Sequence, residues 1–351
     1  MRQLEIDGVQ IHDEGACYVI AEIGHNHQGE VEKAKALFRA AKDCGVHAVK
    51  LQKRDNRTLF TRELYEQPYL GENSYGDTYG AHREALEFGY DEYLELKQYA
   101  AELGITFFAT AFDFNSADFL AKLEMPAFKI ASGDLVNTPL LKHVASLGKP
   151  LVVSTGGGTM DDVQRAYDTI MPLNSQLCLL QCTAVYPVEP EEMNLRVLES
   201  FRQKFPNVVI GLSDHQNGIA MALVGYALGA RVIEKHFTLN RAWRGTDHAF
   251  SLEPVGMKKL VRDLQRARAA LGDDQKRRLP SENKPLYKMA KKLVAAREIP
   301  QGRVLTRADV AIKSPNDGLP PYELDKVVGR ATRRALRPDE TITFEDLDGT
   351  A

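Results

Sequence analysis

Between residue 17 and about residue 272, short runs rich in β-branched and aromatic residues alternate with longer stretches whose apolar positions recur every three or four residues. The short runs CYVIAEIG, VHAVKLQ, ITFFATAF, AFKIAS, PLVVSTG, LCLLQCT, NVVIGLS and RVIEKHF predict strands. The longer stretches predict helices: EVEKAKALFRAAKDCG, YDEYLELKQYAAELG, TPLLKHVASLG, MDDVQRAYDTIM, NLRVLESFRQKF, IAMALVGYALG and VGMKKLVRDLQRARAALG. Several of these end in a glycine suited to a C-cap. Eight strand–helix units in about 250 residues is the arithmetic of an α/β fold, a (β/α)8 TIM barrel. A doubly wound open sheet is the competing architecture.

Two segments break the rhythm. Residues 53–89 form a Tyr-rich insertion after the second strand, long enough to predict a functional lid. After the barrel domain, 1–272, the charged stretch LGDDQKRRLPSENKP predicts a linker at 273–286. Residues 287–351 then read as a small β-rich domain with two similar turns, Ile-Pro-Gln-Gly and Arg-Pro-Asp-Glu. A domain of that size is marginal alone and is expected to dock on something.

In a TIM barrel the active site collects at the C-terminal ends of the strands. The eight predicted strands deliver there, in order, Glu22; Lys50 with Gln52; Thr110; Lys129 and then Ser132; Ser154; Thr183; Ser213 and then His215; Glu234 with His236. Polar groups on every strand of one rim predict a site. Lys50, between Val49 and Leu51, is stripped of water and requires an anion, either a substrate or a structural partner such as Glu22. Lys129 repeats the pattern. Two lysines among the hydroxyls of Thr110, Ser132, Ser154 and Ser213 describe a phosphate or carboxylate site, to which the turn STGGGT can add backbone N–H donors. His215 and His236 fall on neighbouring strands beside Glu234, a set that suits one divalent ion. Imidazole favours Zn, Mn, Fe or Co, and the carboxylate admits Mn or Mg. Asp247, on the loop NRAWRGTDHAFSLEP, is a candidate acid, base or ligand for substrate hydroxyls.

Composition narrows the setting. With 45 basic and 48 acidic residues the net charge is −3, which points to neither nucleic acid nor a membrane surface. The first fifteen residues are charged throughout and do not read as a signal peptide. Cys17, Cys44, Cys178 and Cys182 show no framework of pairs and read as reduced thiols of a cytoplasmic protein.

The motifs AEIGHNHQG, VKLQ, KIASGD, STGG, CTAVYP, GLSDH, EKHFTLN, TDHAFSLEP and GLPPYEL occur together and in order. In them the chain resembles the sialic acid (N-acetylneuraminate) synthase family, which joins an N-terminal barrel to a C-terminal antifreeze-like (SAF) domain. The resemblance implies a transferase. It condenses phosphoenolpyruvate with N-acetylmannosamine or a related aldose, giving a nonulosonic acid and phosphate by C–O cleavage. It implies a divalent metal, Mn or Mg, on His215 and His236, and a phosphoenolpyruvate site at Lys50, Thr110, Lys129, Ser132, Ser154 and Ser213. Sugar contacts fall on Gln52, Tyr186 and Asp247, and the rim glutamate is Glu22. The expected catalytic set is Glu22, Glu234 and Asp247, in a homodimer whose C-terminal domains cap each other's sites. Three positions depart from the family pattern. Ala184 replaces an asparagine, Asp134 a glutamate expected to meet a sugar hydroxyl, and Ser314 a tail arginine that reaches a partner's sugar site. The enzyme class survives these changes, whereas the identity of the aldose does not follow. Two readings compete: a TIM-barrel metallohydrolase using His215 and His236, and a non-catalytic sugar-binding component of polysaccharide assembly.

Overall fold

The first element is one that the alternation did not predict. Strands β1 (Gln3–Ile6) and β2 (Val9–His12) form an antiparallel hairpin, turned by Asp7 and Gly8, both at positive φ. This computed structural model describes residues 2–349, in two compact units, Met1–Gly272 and Asp273–Ala351.

In the first unit eight parallel strands close a barrel: β3 (Tyr18–Gly24), β4 (Ala48–Lys53), β5 (Thr106–Ala111), β6 (Phe128–Ile130), β7 (Leu151–Ser154), β8 (Leu177–Cys182), β9 (Val209–Asp214) and β10 (Val232–His236). The last pairs with the first, His236 beside Glu22, so no sheet edge remains. Helix α1 (Val31–Asp43) follows β3. The insertion after β4 folds into three short helices, α2 (Asn56–Leu59), α3 (Arg62–Glu66) and α4 (Tyr79–Glu84), ahead of α5 (Tyr90–Leu103). Helix α6 (Phe114–Lys122), missing from the sequence reading, is capped by Asp113, whose Oδ1 accepts from the Ser116 backbone N–H at 2.7 Å. Then come α7 (Thr138–Ser146), α8 (Met160–Ile170), α9 (Val197–Lys204), α10 (Ala220–Ala227) and α11 (Pro254–Leu271), one after each remaining strand.

The period of two along each strand divides the barrel into an outer and an inner face. Outward residues such as Val19, Val49, Phe107, Val153 and Ile233 pack against the helices in the main core. Inward residues near the strand starts are apolar: Tyr18, Ile20, Ala48, Phe108, Ala127, Val152, Leu180, Val209 and Val232. Leu4, Ile6 and Ile11 of the hairpin join this cluster and plug its open end. Further along the same inward faces stand Glu22, Lys50, Thr110, Lys129, Ser154, Cys182, Ser213 and Glu234. The interior thus changes from apolar to charged within one layer of side chains.

In the second unit, α12 (Asn283–Met289) runs across the end of the expected linker. Strand β11 (Lys292–Ala295) pairs antiparallel with β12 (Val310–Lys313) around Leu293, Ile299, Leu305, Val327, Leu336 and Leu347. The two similar turns belong to two similar arms, each ending in a Thr-x-x-Asp box. Asp309 accepts from the Thr306 N–H (2.8 Å) and hydroxyl (2.6 Å), and Asp346 does the same with Thr343. Arg297 also reaches Asp309, at 2.6 Å.

Thr306 above all, with Arg297, holds the buried Asp309 carboxyl below the usual range, so its stabilisation is present above about pH 4 and is lost as pH falls. Asp309→Asn is expected to destabilise this unit by about 1–3 kcal/mol at pH 7. The difference from the native chain should shrink at pH 3. Hydrogen exchange at the β11 amides measures both, and equal protection of the two proteins at pH 7 contradicts the assignment.

Candidate active site

The charged layer is wired by register. Glu22 and Lys50 are lateral neighbours on β3 and β4, and the Lys50 ammonium lies 2.5 Å from Glu22 Oε2 while donating to Thr110 Oγ1 at 2.9 Å. The structural partner that the sequence left open is therefore present, inside the cavity. Gln52 donates to Glu22 Oε1 at 2.7 Å from one turn of the pleat above. Lys129 has no such carboxylate. It donates to Ser154 Oγ and to the Ile130 carbonyl, both at 2.6 Å, and burial lowers its pKa, with Glu234 opposing. Glu234 accepts from Ser213 at 3.2 Å and lies 3.8 Å from Lys50. Burial pushes its carboxyl up, but Lys129, Lys50 and the two histidines together hold it below the usual range, so it is ionised.

Above this floor stand the two imidazoles, ring centres 5.6 Å apart. His215 Nδ1 meets the Thr183 carbonyl at 3.0 Å, which leaves Nε2 turned toward Ser213. Burial, then His236, lowers the His215 pKa to about 3, so the ring is neutral, as a metal ligand must be. His236 Nδ1 and Glu234 Oε2 are buried with no hydrogen-bond partner, and Asp247 Oδ2 lies 3.8 Å from His236 Nδ1. Among the described residues no three His, Cys, Asp or Glu side chains close into a ready chelate. The donor set fits an ion held by two imidazoles and completed by water or substrate oxygens.

The rim is aromatic and interlocked. Tyr186 packs on His215, ring centres 4.1 Å apart, and Phe250 lies 4.9 Å from His236. The insertion is built rather than loose. Tyr75 donates to the Arg244 carbonyl (2.7 Å), and the Gly245 N–H donates to Asn73 (2.9 Å), tying it to the loop that carries Asp247. Gly29, at φ +77°, passes so close to the Ala85 carbonyl that a Cβ would sit 2.3 Å from that oxygen.

These elements enclose a cavity of about 300 Å³. It gathers Glu22, Lys50, Gln52, Thr110, Lys129, Ser132, Ser154, Tyr186, Ser213, His215, Glu234, His236 and Asp247. Asp134 is not among them: it sits in a turn, accepting from Asn137 at 3.0 Å. Thr183 turns away to the Glu192 carbonyl. Ala184 lines the wall without a polar group.

The NeuB family model matches residues 37–276, and the SAF domain model matches residues 292–348. The chain belongs to the NeuB family. It is 42% identical over 333 residues to the human N-acetylneuraminate-9-phosphate synthase, covering 95% of this chain and 93% of that one. To the N,N'-diacetyllegionaminic acid synthase of Legionella pneumophila it is 34% identical over 340 residues, 95% of each. Its structure superposes with a TM-score of 0.71 on the sialic acid synthetase of Leptospira borgpetersenii, solved in complex with citrate. The two are 29% identical, over 81% of this chain and 95% of that one.

Within this NeuB-family cavity the structure adds residues that the sequence reading did not single out as a site: Arg54, Phe112 and Thr246. Arg83, from the insertion, also lines it. Arg54 lies one residue past the end of β4, where strand parity no longer tells inside from outside. The signal that was available is a charged residue directly after two inward polar ones. Lys235, in the same VIEKHF run, has another role. It points outward, 2.9 Å from Asp214, and also donates to the Gln216 carbonyl.

Burial works against both members of that pair, raising the Asp214 pKa and lowering that of Lys235. Removing one partner leaves the other charge stranded. Lys235→Met is expected to cost about 3–5 kcal/mol in urea unfolding, and adding Asp214→Asn should recover part of it. A single-mutant loss below about 1 kcal/mol contradicts the assignment.

Proposed function

We propose that the chain is a nonulosonic acid synthase that condenses phosphoenolpyruvate with an open-chain aldose of the N-acetylmannosamine type. The observation that carries this reading is the pairing, in one cavity, of a two-lysine anion floor with two facing imidazoles. A metallohydrolase has little use for that floor, and a mere binder has little use for the carboxyl groups of Glu22, Glu234 and Asp247 converging there. The names of the human and Legionella relatives support an N-acylated sugar.

Lys129, with Ser132, Ser154 and Ser213, holds the anionic groups of phosphoenolpyruvate, and Lys50 adds a second charge through Thr110. Gln52, Tyr186 and Asp247 position the aldose. C3 of the enol attacks the aldehyde carbon, and Asp247 manages the proton that the new hydroxyl requires. A divalent ion on His215 and His236 supplies Lewis-acid polarisation of the aldehyde oxygen when bound. Water then adds to C2, Glu22 accepts its proton, and the C–O bond to phosphate breaks to give the 2-keto acid. We infer also that the enzyme is a homodimer in which the C-terminal unit serves a second copy. The family resemblance supports this, and a monomer mass in equilibrium sedimentation would contradict it. Ser314 is exposed and accepts from Lys291 at 2.7 Å within its own unit, consistent with its having lost the arginine's reach.

Phosphate release should require phosphoenolpyruvate and aldose together, vanish on chelation and return with Mn. Lys129→Met, which breaks no salt-bridge contact, should lose about 1.5–3 kcal/mol in kcat/KM for phosphoenolpyruvate. Aldose-independent phosphate release, or full activity in excess chelator, would overturn the corresponding part of the reading.

A further inference from the structure

Two guanidinium groups line the cavity without a carboxylate in salt-bridge contact among the described residues. Arg54 is buried, lies over the Phe112 ring at 3.7 Å and donates to Gln52 Oε1 at 2.7 Å. Arg83, on α4, donates to the Tyr79 hydroxyl at 3.0 Å. The His25 imidazole stands between them, Nε2 at 3.1 Å from Arg54 and Nδ1 at 3.4 Å from Arg83. Burial first, then Arg54 and Arg83, holds His25 neutral. A neutral imidazole has one acceptor nitrogen, so at any moment one guanidinium faces a ring N–H and finds no acceptor.

Nearby acceptors are few. Glu87 Oε2 takes Lys53 at 3.0 Å and the Arg54 backbone N–H at 3.3 Å. Its Oε1, buried without a hydrogen-bond partner, lies 3.7 Å from His25 and contacts neither guanidinium, so it offers one acceptor against the many N–H groups of the pair. Asp247 accepts from Thr246 at 2.8 Å. The cluster therefore holds N–H donors in excess of acceptors, in a place where an unpaired charge is costly. Burial, then Arg83, brings even the Arg54 pKa down to about 10. An anion would complete it.

Position says which anion. Lys50, Glu22, Gln52 and Arg54 form one hydrogen-bonded series from floor to lid, so the guanidiniums lie one side chain beyond Gln52 and away from Lys129. An extended aldose lying along Gln52 brings its far end between Arg54 and Arg83. Resting on the condensing reading above, we propose that Arg54 and Arg83 seat a phosphoryl group at the far end of the aldose, and that the enzyme takes a phosphorylated sugar. A dianion with three oxygens matches two planar, always-charged donors arriving from different sides.

The test compares kcat/KM for N-acetylmannosamine 6-phosphate and for N-acetylmannosamine at saturating phosphoenolpyruvate. Native enzyme, Arg83→Met, Arg83→Lys and Arg54→Met are measured side by side, with circular dichroism confirming each fold. Arg83 is only half-buried, so its variants hold the test if Arg54→Met does not fold. Native enzyme should prefer the phosphate. Arg83→Met should cut the ratio of the two kcat/KM values roughly tenfold to a hundredfold, through KM for the aldose, with Arg83→Lys intermediate. Native enzyme that uses both sugars equally, or Met variants that keep the native ratio, would overturn the proposal while leaving condensation intact. A rise in KM for phosphoenolpyruvate instead would assign the guanidiniums to that substrate and overturn it too. Phosphate release with neither sugar would sink the condensing reading itself.

Discussion

An ammonium group in the centre of a closed barrel costs several kcal/mol unless an anion meets it, and this chain places two there. Lys50 is met by Glu22 from the adjacent strand, at 2.5 Å, while Lys129 is met only by a hydroxyl and a carbonyl. That asymmetry orders the site. One lysine is held by a carboxylate of the protein. The other faces the cavity with no carboxylate in contact. Both depend on the register that sets Glu22 beside Lys50 and Thr110 beside Lys129.

The same register explains why the floor does not collapse. One layer below it the inward positions are apolar, and the hairpin side chains Leu4, Ile6 and Ile11 exclude water from that end. Charge in the cavity is therefore solvated from the rim alone, where Tyr186, Phe250 and the interlocked insertion restrict access. Electrostatic interactions in such a site are stronger than at a surface, for paired and unpaired groups alike. This is why Glu234 stays ionised in spite of burial.

Strand parity made the floor legible from sequence: Lys50 with Gln52 and Glu234 with His236 each share an inward face. Parity fails where strands end. Arg54, just past β4, and Asp134, in a turn where it accepts from Asn137, could not be placed by counting; Arg54 lines the cavity and Asp134 follows the lining residues Ser132 and Gly133 without lining it itself. Helix α6 was missed because it is short and its signal lies in the Asp113 cap rather than in a long apolar period. The hairpin was missed because each strand has four residues, too few for an alternation to stand out, although Asp7-Gly8 marks its turn. That the insertion is ordered beside the cavity accords with its length and tyrosines. Its contacts with the Asp247 loop depend on tertiary packing that no local pattern encodes.

The central claim is that the floor binds phosphoenolpyruvate for carbon–carbon bond formation followed by attack of water at C2. Phosphoenolpyruvate labelled with 18O at the bridging oxygen tests it directly, the released phosphate being read by 31P NMR in the presence of the aldose. The account predicts that the label leaves with the phosphate, because the C–O bond breaks. Label retained in the organic product would mean cleavage at phosphorus and would contradict it.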